Sequence, residues 1–230
     1  MTDVPVVAQV VMPEKGLFLV RCNCEPLRYG TQVLVSLDYG QDLGMVTECG
    51  VYDPARHGSR LPGFQLLRPK TAEDDSVLAE NEKLSLAMRT TFLKAALQVV
   101  PDLRVPYARL SFARTRLFIR FVSSSQRPDL SRPIAEIQRL FGVSVNAWQM
   151  GPRDEVSVMG GLGPCGRACC CATWQKRYPA RLASERFKGG NPAMLNGTCG
   201  RFKCCLAFEG DCDAKCPGER FSKQQGESRK

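Results

Sequence analysis

At 230 residues, 43% of them hydrophobic, the chain is long enough for two modest cores, or for one core with a small appended module. The formal charge of +9 is uneven, at 0 over residues 1–71, +3 over residues 72–150 and +6 over residues 151–230, which is compatible with nucleic acid or an acidic protein as partner. No apolar run reaches the roughly 18 residues of a membrane-spanning helix, and the N-terminus lacks the features of a signal peptide. The sequence therefore predicts a cytoplasmic protein without a transmembrane segment.

The first part of the chain predicts a small β domain over residues 1–63. Short β-type runs at residues 6–11, 17–21, 32–37 and 45–48 alternate with breaks that contain glycine. Such runs favour a small N-terminal β-barrel-like sheet that is mostly antiparallel. A stretch rich in proline and glycine at residues 53–63 then separates this domain from the next.

The middle of the chain predicts an α+β domain over residues 64–150, which begins with a long amphipathic helix. Thr71 and Asp74 suit an N-terminal capping box, and Pro101 ends the helical pattern. The apolar stripe of this helix is formed by Val77, Leu84, Met88, Ala95 and Val99.

A hairpin, a second helix and a last strand complete this domain. Residues 109–112 and 116–122 predict the hairpin, with Leu117, Ile119 and Phe121 on one face. The second helical stripe, over residues 130–141, is closed by Gly142 and followed by a strand at residues 143–148. The resulting order, α-β-β-α-β, predicts a compact α+β layer.

The remainder, residues 151–230, predicts a cysteine-rich C-terminal metal-binding segment. Nine of the 12 cysteines lie between Cys165 and Cys216, in a region with little apolar material to fold around. Small segments of this kind usually need metal or disulfides, and reducing surroundings favour metal. The early cysteines, Cys22, Cys24 and Cys49, are interpreted as core or surface thiols without a functional role.

Two stretches of this segment repeat one pattern, Cys-Gly-Arg, two residues, then Cys-Cys, at residues 165–171 and 199–205. Thiolates are soft ligands for zinc, copper(I) or iron-sulfur clusters, and glycine after the first cysteine lets backbone amides approach the sulfur. Because His57 is the single histidine, any site here is essentially all sulfur or uses oxygen as a minor ligand. The glycine-rich run at residues 160–163 predicts a tight turn that delivers Cys165.

Adjacent cysteines are awkward ligands for one tetrahedral ion, because neighbouring side chains point to opposite sides of a strand and diverge by roughly 100° in a helix. The repeats also lack the Cys-x-x-Cys spacing of a zinc ribbon as their shared element. A cluster, or two separate sites, therefore fits more easily than one zinc ion. The alternative is that the cysteines pack as small buried hydrophobes, a role that does not need Gly-Arg beside each first cysteine.

Three motifs together resemble the RicT family, also called YaaT: residues 150–155 (Met-Gly-Pro-Arg-Asp-Glu), residues 160–167 (Gly-Gly-Leu-Gly-Pro-Cys-Gly-Arg) and the second repeat with the following Leu206, Phe208 and Glu209. The resemblance covers nearly the whole chain, and residues 64–149 resemble the polymerase-suppressor (PSP) C-terminal domain of that family. The 4Fe-4S ligands that it implies are Cys165, Cys170, Cys171, Cys199, Cys204 and Cys205. Cys169, Cys212 and Cys216 go beyond the family pattern, and we count Cys212 and Cys216 as further candidate metal ligands.

The resemblance implies a cytoplasmic regulatory subunit that assembles with two small helical proteins, YlbF-like and YmcA-like, into a complex that holds two 4Fe-4S clusters. It also implies work with the endoribonuclease RNase Y in mRNA maturation and turnover, and an influence on sporulation and biofilm formation. The sequence thus predicts a noncatalytic iron-sulfur adaptor of RNA processing, holding one or two clusters. No nucleophile-base pair, phosphate loop or paired acids argue for an enzyme.

Two other functions stay open from the sequence. The first is a zinc-stabilised nucleic-acid-binding module, in which basic residues contact RNA directly. On the hairpin, one face would carry Arg114, Arg116, Phe118 and Arg120. The favoured interpretation of this face is a solvated strand surface of exposed arginines on which the aromatic simply packs. Further basic candidates are Lys176, Arg177, Arg181, Arg186 and Lys188. The second is a redox enzyme that uses cysteine pairs, which ranks last.

Overall fold

The computed structural model describes residues 5–14, 16–23, 25–57, 62–175 and 195–205. These residues contain eight β-strands and four α-helices. The chain divides into two compact units, residues 1–149 and residues 150–230, and the division falls where the composition of the sequence changes. The predicted mixed α+β class, with two separate sheets, is confirmed.

The first sheet consists of β1 (Val6–Met12), β2 (Gly16–Cys22), β3 (Gln32–Leu37), β4 (Gly40–Val51) and β5 (Gln65–Pro69). The strands pair in the order β1-β2-β5-β3-β4, and the sheet closes into a small barrel because β4 also pairs with β1. All pairings are antiparallel except that of β2 with β5. Alternate side chains fill the interior, which is lined by valines that are 0% exposed at Val10, Val20, Val33, Val35 and Val46.

The last strand of this sheet lies beyond residue 63, where the sequence predicted the β domain to end. Strand β5 is inserted between β2 and β3, and its Leu66 is only 2% exposed. Its other side chains are mostly exposed, and Pro69 ends it. A short segment with mostly exposed side chains and a proline gives little sign of a strand in the sequence. This strand is recognised only from its pairing with β2 and β3.

The second sheet belongs to the predicted α-β-β-α-β layer. After the short helix α1 (Pro54–His57), the layer is built from α2 (Ala72–Leu97), β6 (Arg104–Leu110), β7 (Arg116–Val122), α3 (Ser131–Phe141) and β8 (Ser144–Gln149). Strand β7 lies in the centre, antiparallel to β6 and parallel to β8. Leu117, Ile119 and Phe121 share one buried core with α2 and α3, which confirms the face predicted for them.

The buried stripe of α2 differs from the prediction. Met88 is buried as expected, but Val77, Leu84 and Ala95 are half-buried and Val99 is 43% exposed. The buried side chains of the helix are Asp74, Asn81, Ser85, Met88, Phe92 and Ala96. The apolar pattern therefore misplaced the stripe, because polar side chains occupy its first half.

Hydrogen bonds explain why polar side chains are buried on α2. Asn81 Nδ2 donates to the carbonyl oxygen of Phe112 at 3.1 Å, and its Oδ1 accepts from Arg114 Nε at 2.6 Å. Asp74 Oδ2 accepts from the backbone N–H of Thr71 at 2.8 Å, which completes the predicted capping box. These contacts satisfy groups that would otherwise be costly to bury.

Gly142 ends α3 in the left-handed conformation, with φ of 66° and its N–H donating to Gln138 O at 2.9 Å. A Cβ at this position would meet nothing within 4 Å, so Gly142→Ala tests backbone strain alone. We expect a loss of about 1 kcal/mol and a melting temperature lower by roughly 2–4 °C. The control is Gly50→Ala, which is equally open but not left-handed, and an equal loss in both variants in thermal unfolding would contradict the strain argument.

The second unit contains a helix that the sequence did not predict, α4 (Pro152–Met159). Its start carries two ordinary signals, proline at the first helical position and Asp154, whose Oδ2 accepts from the N–H of Gly151 at 3.2 Å. None of the helices within the described ranges is long and apolar enough to cross a membrane.

Candidate metal centre

The first cysteine repeat forms a tight turn. The N–H of Gly163 donates to Arg167 O at 2.8 Å, and the N–H of Gly166 donates to Gly163 O at 2.9 Å. Gly166 has φ of 74°, a conformation that glycine adopts without strain. Beyond the turn, the N–H of Cys169 donates to Gly161 O at 3.0 Å, so the chain returns alongside itself. This geometry agrees with the turn predicted before Cys165.

The second repeat forms the same turn. The N–H of Gly197 donates to Arg201 O at 2.7 Å, and the N–H of Gly200, which has φ of 71°, donates to Gly197 O at 2.9 Å. The N–H of Lys203 donates to Leu195 O at 2.8 Å, which is the counterpart of the contact made by Cys169. The repeated sequence therefore encodes repeated geometry, and the structural repeat begins several residues before each first cysteine.

The equivalence of the turns pairs the cysteines of the two repeats. Cys165 corresponds to Cys199, and the adjacent pair 170/171 corresponds to the pair 204/205. Cys169, which exceeds the family pattern, takes the position of Lys203 and therefore has no cysteine counterpart.

The cysteines of both repeats line one open pocket. It is lined by all six predicted cluster ligands and by Cys169 as well. Cys165 is exposed, whereas Cys169 and Cys171 are only 7% and 6% exposed. The remaining four are half-buried. Cys212 and Cys216, the further candidate ligands, lie outside the described residues, as do the basic candidates at residues 176–188.

The thiols are close enough to influence one another across the repeats. Burial raises the pKa of the Cys171 thiol, and the thiols of Cys169, Cys204 and Cys199 raise this pKa as well. The guanidinium of Arg153 on α4 acts in the opposite direction and lowers the pKa of Cys171. The pocket is thus a place where several thiolates would repel one another unless a cation or cluster offset their charge.

Side chains that the sequence did not single out support this pocket. Ser157 Oγ on α4 donates to Cys171 O at 2.6 Å. Thr198 Oγ1 donates to Leu162 O at 3.1 Å and lies 3.9 Å from Cys169 Sγ, which joins the second turn to the first. Neither residue could be recognised from the sequence, because single serines and threonines are common and form no motif.

The donor chemistry fits an iron-sulfur cluster or another thiophilic metal, since the pocket offers several sulfurs and no imidazole. Within the described ranges, however, no three Cys, His, Asp or Glu side chains converge tightly enough to hold a single metal ion.

The early cysteines and His57 belong to residues 1–149. Cys22 is 3% exposed in the core of the first sheet, and Cys49 is half-buried against the same core. Cys24 lies outside the described residues. His57 ends α1, where its Nδ1 accepts from the N–H of Asp53 at 2.9 Å.

The candidate RNA-binding face of the hairpin is largely occupied by contacts within the first unit. Phe118 is 7% exposed and meets Tyr39 of the barrel edge to face, with ring centroids 5.4 Å apart. The guanidinium of Arg116 lies over the same Tyr39 ring at 4.8 Å. This aromatic therefore packs between the sheets and cannot stack on a base.

The other two arginines of this set are ion-paired. Arg120 Nη2 lies 2.9 Å from Glu14 Oε2, and Arg114, in the turn before β7, lies 2.6 Å from Glu80 Oε2. The favoured interpretation, exposed arginines beside an aromatic that packs, holds for Arg114 and Phe118, whereas Arg116 and Arg120 are half-buried. These contacts also weaken the case for RNA binding at this face.

Tyr107 lies at the same interface, and its contacts there shift the pKa of its hydroxyl. Its hydroxyl donates to Glu14 Oε1 at 2.8 Å, and burial, followed by the charge and hydrogen bond of Glu14, raises its pKa to about 12. An unfolded tyrosine titrates near pH 10, so the stability from this contact is complete below about pH 10 and is lost as the pH rises through about 12. We expect the free energy of unfolding of Tyr107→Phe to depend less steeply on pH across this window. Equal slopes in denaturant unfolding between about pH 10 and pH 12 would contradict the assignment.

The fold and the site define the chain as an α+β protein whose second unit gathers two equivalent cysteine turns around one pocket. The sequence is similar to stage 0 sporulation protein YaaT of Bacillus subtilis strain 168, with 27% identity over 144 residues, which cover 61% of this chain and 52% of that protein. The match thus spans about half the length of this relative. This similarity agrees with the resemblance to the RicT family, also called YaaT, that the sequence motifs carry. No family model and no solved structure matches the chain.

Proposed function

We propose that the chain is a noncatalytic iron-sulfur regulatory subunit, an adaptor in a complex that controls RNA processing. The observation that carries this proposal is that six equivalent cysteines, three from each turn, line one pocket. Three thiolates from a turn fall one short of the four that a 4Fe-4S cluster usually takes. The two turns together, completed by Cys212 and Cys216 or by a partner protein, therefore hold one or two clusters.

The relationship to a sporulation protein supports a regulatory role in development. The family resemblance names the partners that we propose, which are YlbF-like and YmcA-like helical proteins and the endoribonuclease RNase Y. The contacts of Arg116, Phe118 and Arg120 within the first unit favour a role through protein contacts over direct RNA binding by the hairpin. We place the protein in the cytoplasm, where thiols stay reduced and available to metal.

Anaerobic purification of the full chain, with counts of iron, acid-labile sulfide and zinc, tests the cofactor. We expect iron and sulfide in equal amounts and broad visible absorption. Colourless protein with stoichiometric zinc would replace this proposal by the zinc-stabilised module. An affinity purification from the native organism under anaerobic conditions tests the partners, and recovery of the chain without an endoribonuclease or small helical proteins would refute the proposed complex.

A further inference from the structure

One glutamine connects both cysteine turns to helix α4. The backbone N–H of Gln175 donates to Cys170 O at 2.8 Å, and its side-chain Nε2 donates to Cys204 O at 3.3 Å. The carbonyl oxygen of Gln175 accepts from Arg153 Nη2 of α4 at 2.7 Å. Since Cys170 and Cys204 are equivalent positions of the two turns, a single residue restrains the same carbonyl in both.

Packing alone does not explain a glutamine at this position. Gln175 is 4% exposed, and its Oε1 is buried without a hydrogen bond from any residue that the structure describes. Leaving a buried amide oxygen unsatisfied costs about 1–3 kcal/mol. Methionine has the same length and would fill this space without that cost. What glutamine adds is a donor at Nε2, which is the atom that reaches the second turn.

The position of Cys204 O matters because this oxygen belongs to the peptide group that joins Cys204 to Cys205. The direction of the backbone there sets where the thiols of Cys204 and Cys205 lie relative to those of the first turn. Ligands that are held in place before a metal binds bind it more tightly, because less order must be imposed during binding.

We propose that Gln175 is a positioning residue that fixes the second cysteine turn against the first, so that the two turns take up metal as one unit. The inference rests on the proposed metal-binding function and adds the residue that couples its two halves. It makes the metal content of both turns depend on a side chain that is not itself a thiol.

Two substitutions at this position separate donation from packing. Gln175→Met keeps the length and removes the donor, and Gln175→Glu keeps the shape but replaces the donor by an acceptor. The matched control is Thr173→Val, because Thr173 Oγ1 donates to Cys169 O at 3.3 Å and to Cys170 O at 3.4 Å, both in the first turn. The control therefore removes a contact of the same turn without touching the second.

Full-length proteins are purified anaerobically, iron and zinc are counted, and each cysteine is mapped for protection from iodoacetamide by mass spectrometry. In both Gln175 variants we expect the binding constant for metal to fall about threefold to tenfold, the change that loss of one hydrogen bond produces, and the bound metal to fall with it. Cys165 of the first turn and Cys204 of the second should lose protection together. Thr173→Val should keep the metal content and protection of the wild type.

The inference is overturned if Gln175→Met keeps wild-type metal, or if protection is lost in the second turn alone. If the wild type holds zinc and no iron, the cluster proposal fails while the coupling is still decided by the zinc counts. If the wild type, purified anaerobically together with its partner proteins, holds neither metal, both proposals fail. Circular dichroism of each variant checks the fold, and a Gln175→Met variant that retains metal identifies a packing role.

Discussion

Replacement of Arg109 by methionine is expected to lower the free energy of unfolding by about 3–5 kcal/mol, because it leaves a buried carboxylate without its cation. The side chain of Asp42 is 1% exposed, and its two oxygens lie 2.9 and 2.7 Å from Arg109 Nη1 and Nη2. The Tyr39 hydroxyl and the backbone N–H of Leu43, each at 3.0 Å, satisfy the carboxylate further but leave its charge uncompensated. Asp42 belongs to β4 and Arg109 to β6, so the pair joins the barrel to the second sheet.

Two variants decide whether the buried charge causes this loss. Arg56→Met removes an exposed pair, Arg56 to Glu48 at 3.3 Å, and should cost no more than about 1 kcal/mol. The double variant Arg109→Met with Asp42→Leu should recover much of the loss, since neither charge then stays buried. Denaturant unfolding followed by circular dichroism measures all three. If the double variant is as unstable as Arg109→Met, packing rather than charge explains the effect.

The sequence predicted the elements whose apolar period is regular. Leu117, Ile119 and Phe121 alternate along one strand, and Gly142 marks a helix end that only a left-handed residue closes well. Prediction failed where polar groups are buried. The stripe of α2 was misplaced because Asn81 lies inside it and bonds to the hairpin turn, a contact that no local pattern reveals.

The candidate site, like the fold, could be predicted only in part. The two cysteine turns could be predicted because the repeat and its glycines encode local backbone geometry, with Gly166 and Gly200 in the same left-handed conformation. The supports between the turns could not, because Gln175 and Thr198 act across long sequence distances. The hairpin arginines misled for a related reason, since strand parity shows which residues share a face but not what covers it.

Replacement of Cys170 or Cys204 by serine is expected to remove more than half of the bound iron. Serine offers a hard oxygen donor with little tendency to ionise, so it replaces a thiolate poorly in a cluster. The two residues occupy equivalent positions in the two turns and line the same pocket. Loss of one ligand from either turn should therefore damage the shared site. The control is Cys49→Ser, because Cys49 is also half-buried but belongs to the barrel.

The number of thiolates makes Cys212 and Cys216 the pair that shows whether the chain completes its clusters alone or with a partner protein. Two 4Fe-4S clusters need about eight thiolates, and the six equivalent cysteines fall two short. If the chain works alone, the double variant Cys212→Ser with Cys216→Ser should halve or abolish the bound iron. If partner proteins complete the site, the isolated wild type should already hold iron poorly, and the double variant should change nothing. Iron and sulfide counts on the wild type, the single variants, the double variant and Cys49→Ser distinguish these cases, and equal iron loss in Cys49→Ser would refute the ligand assignment.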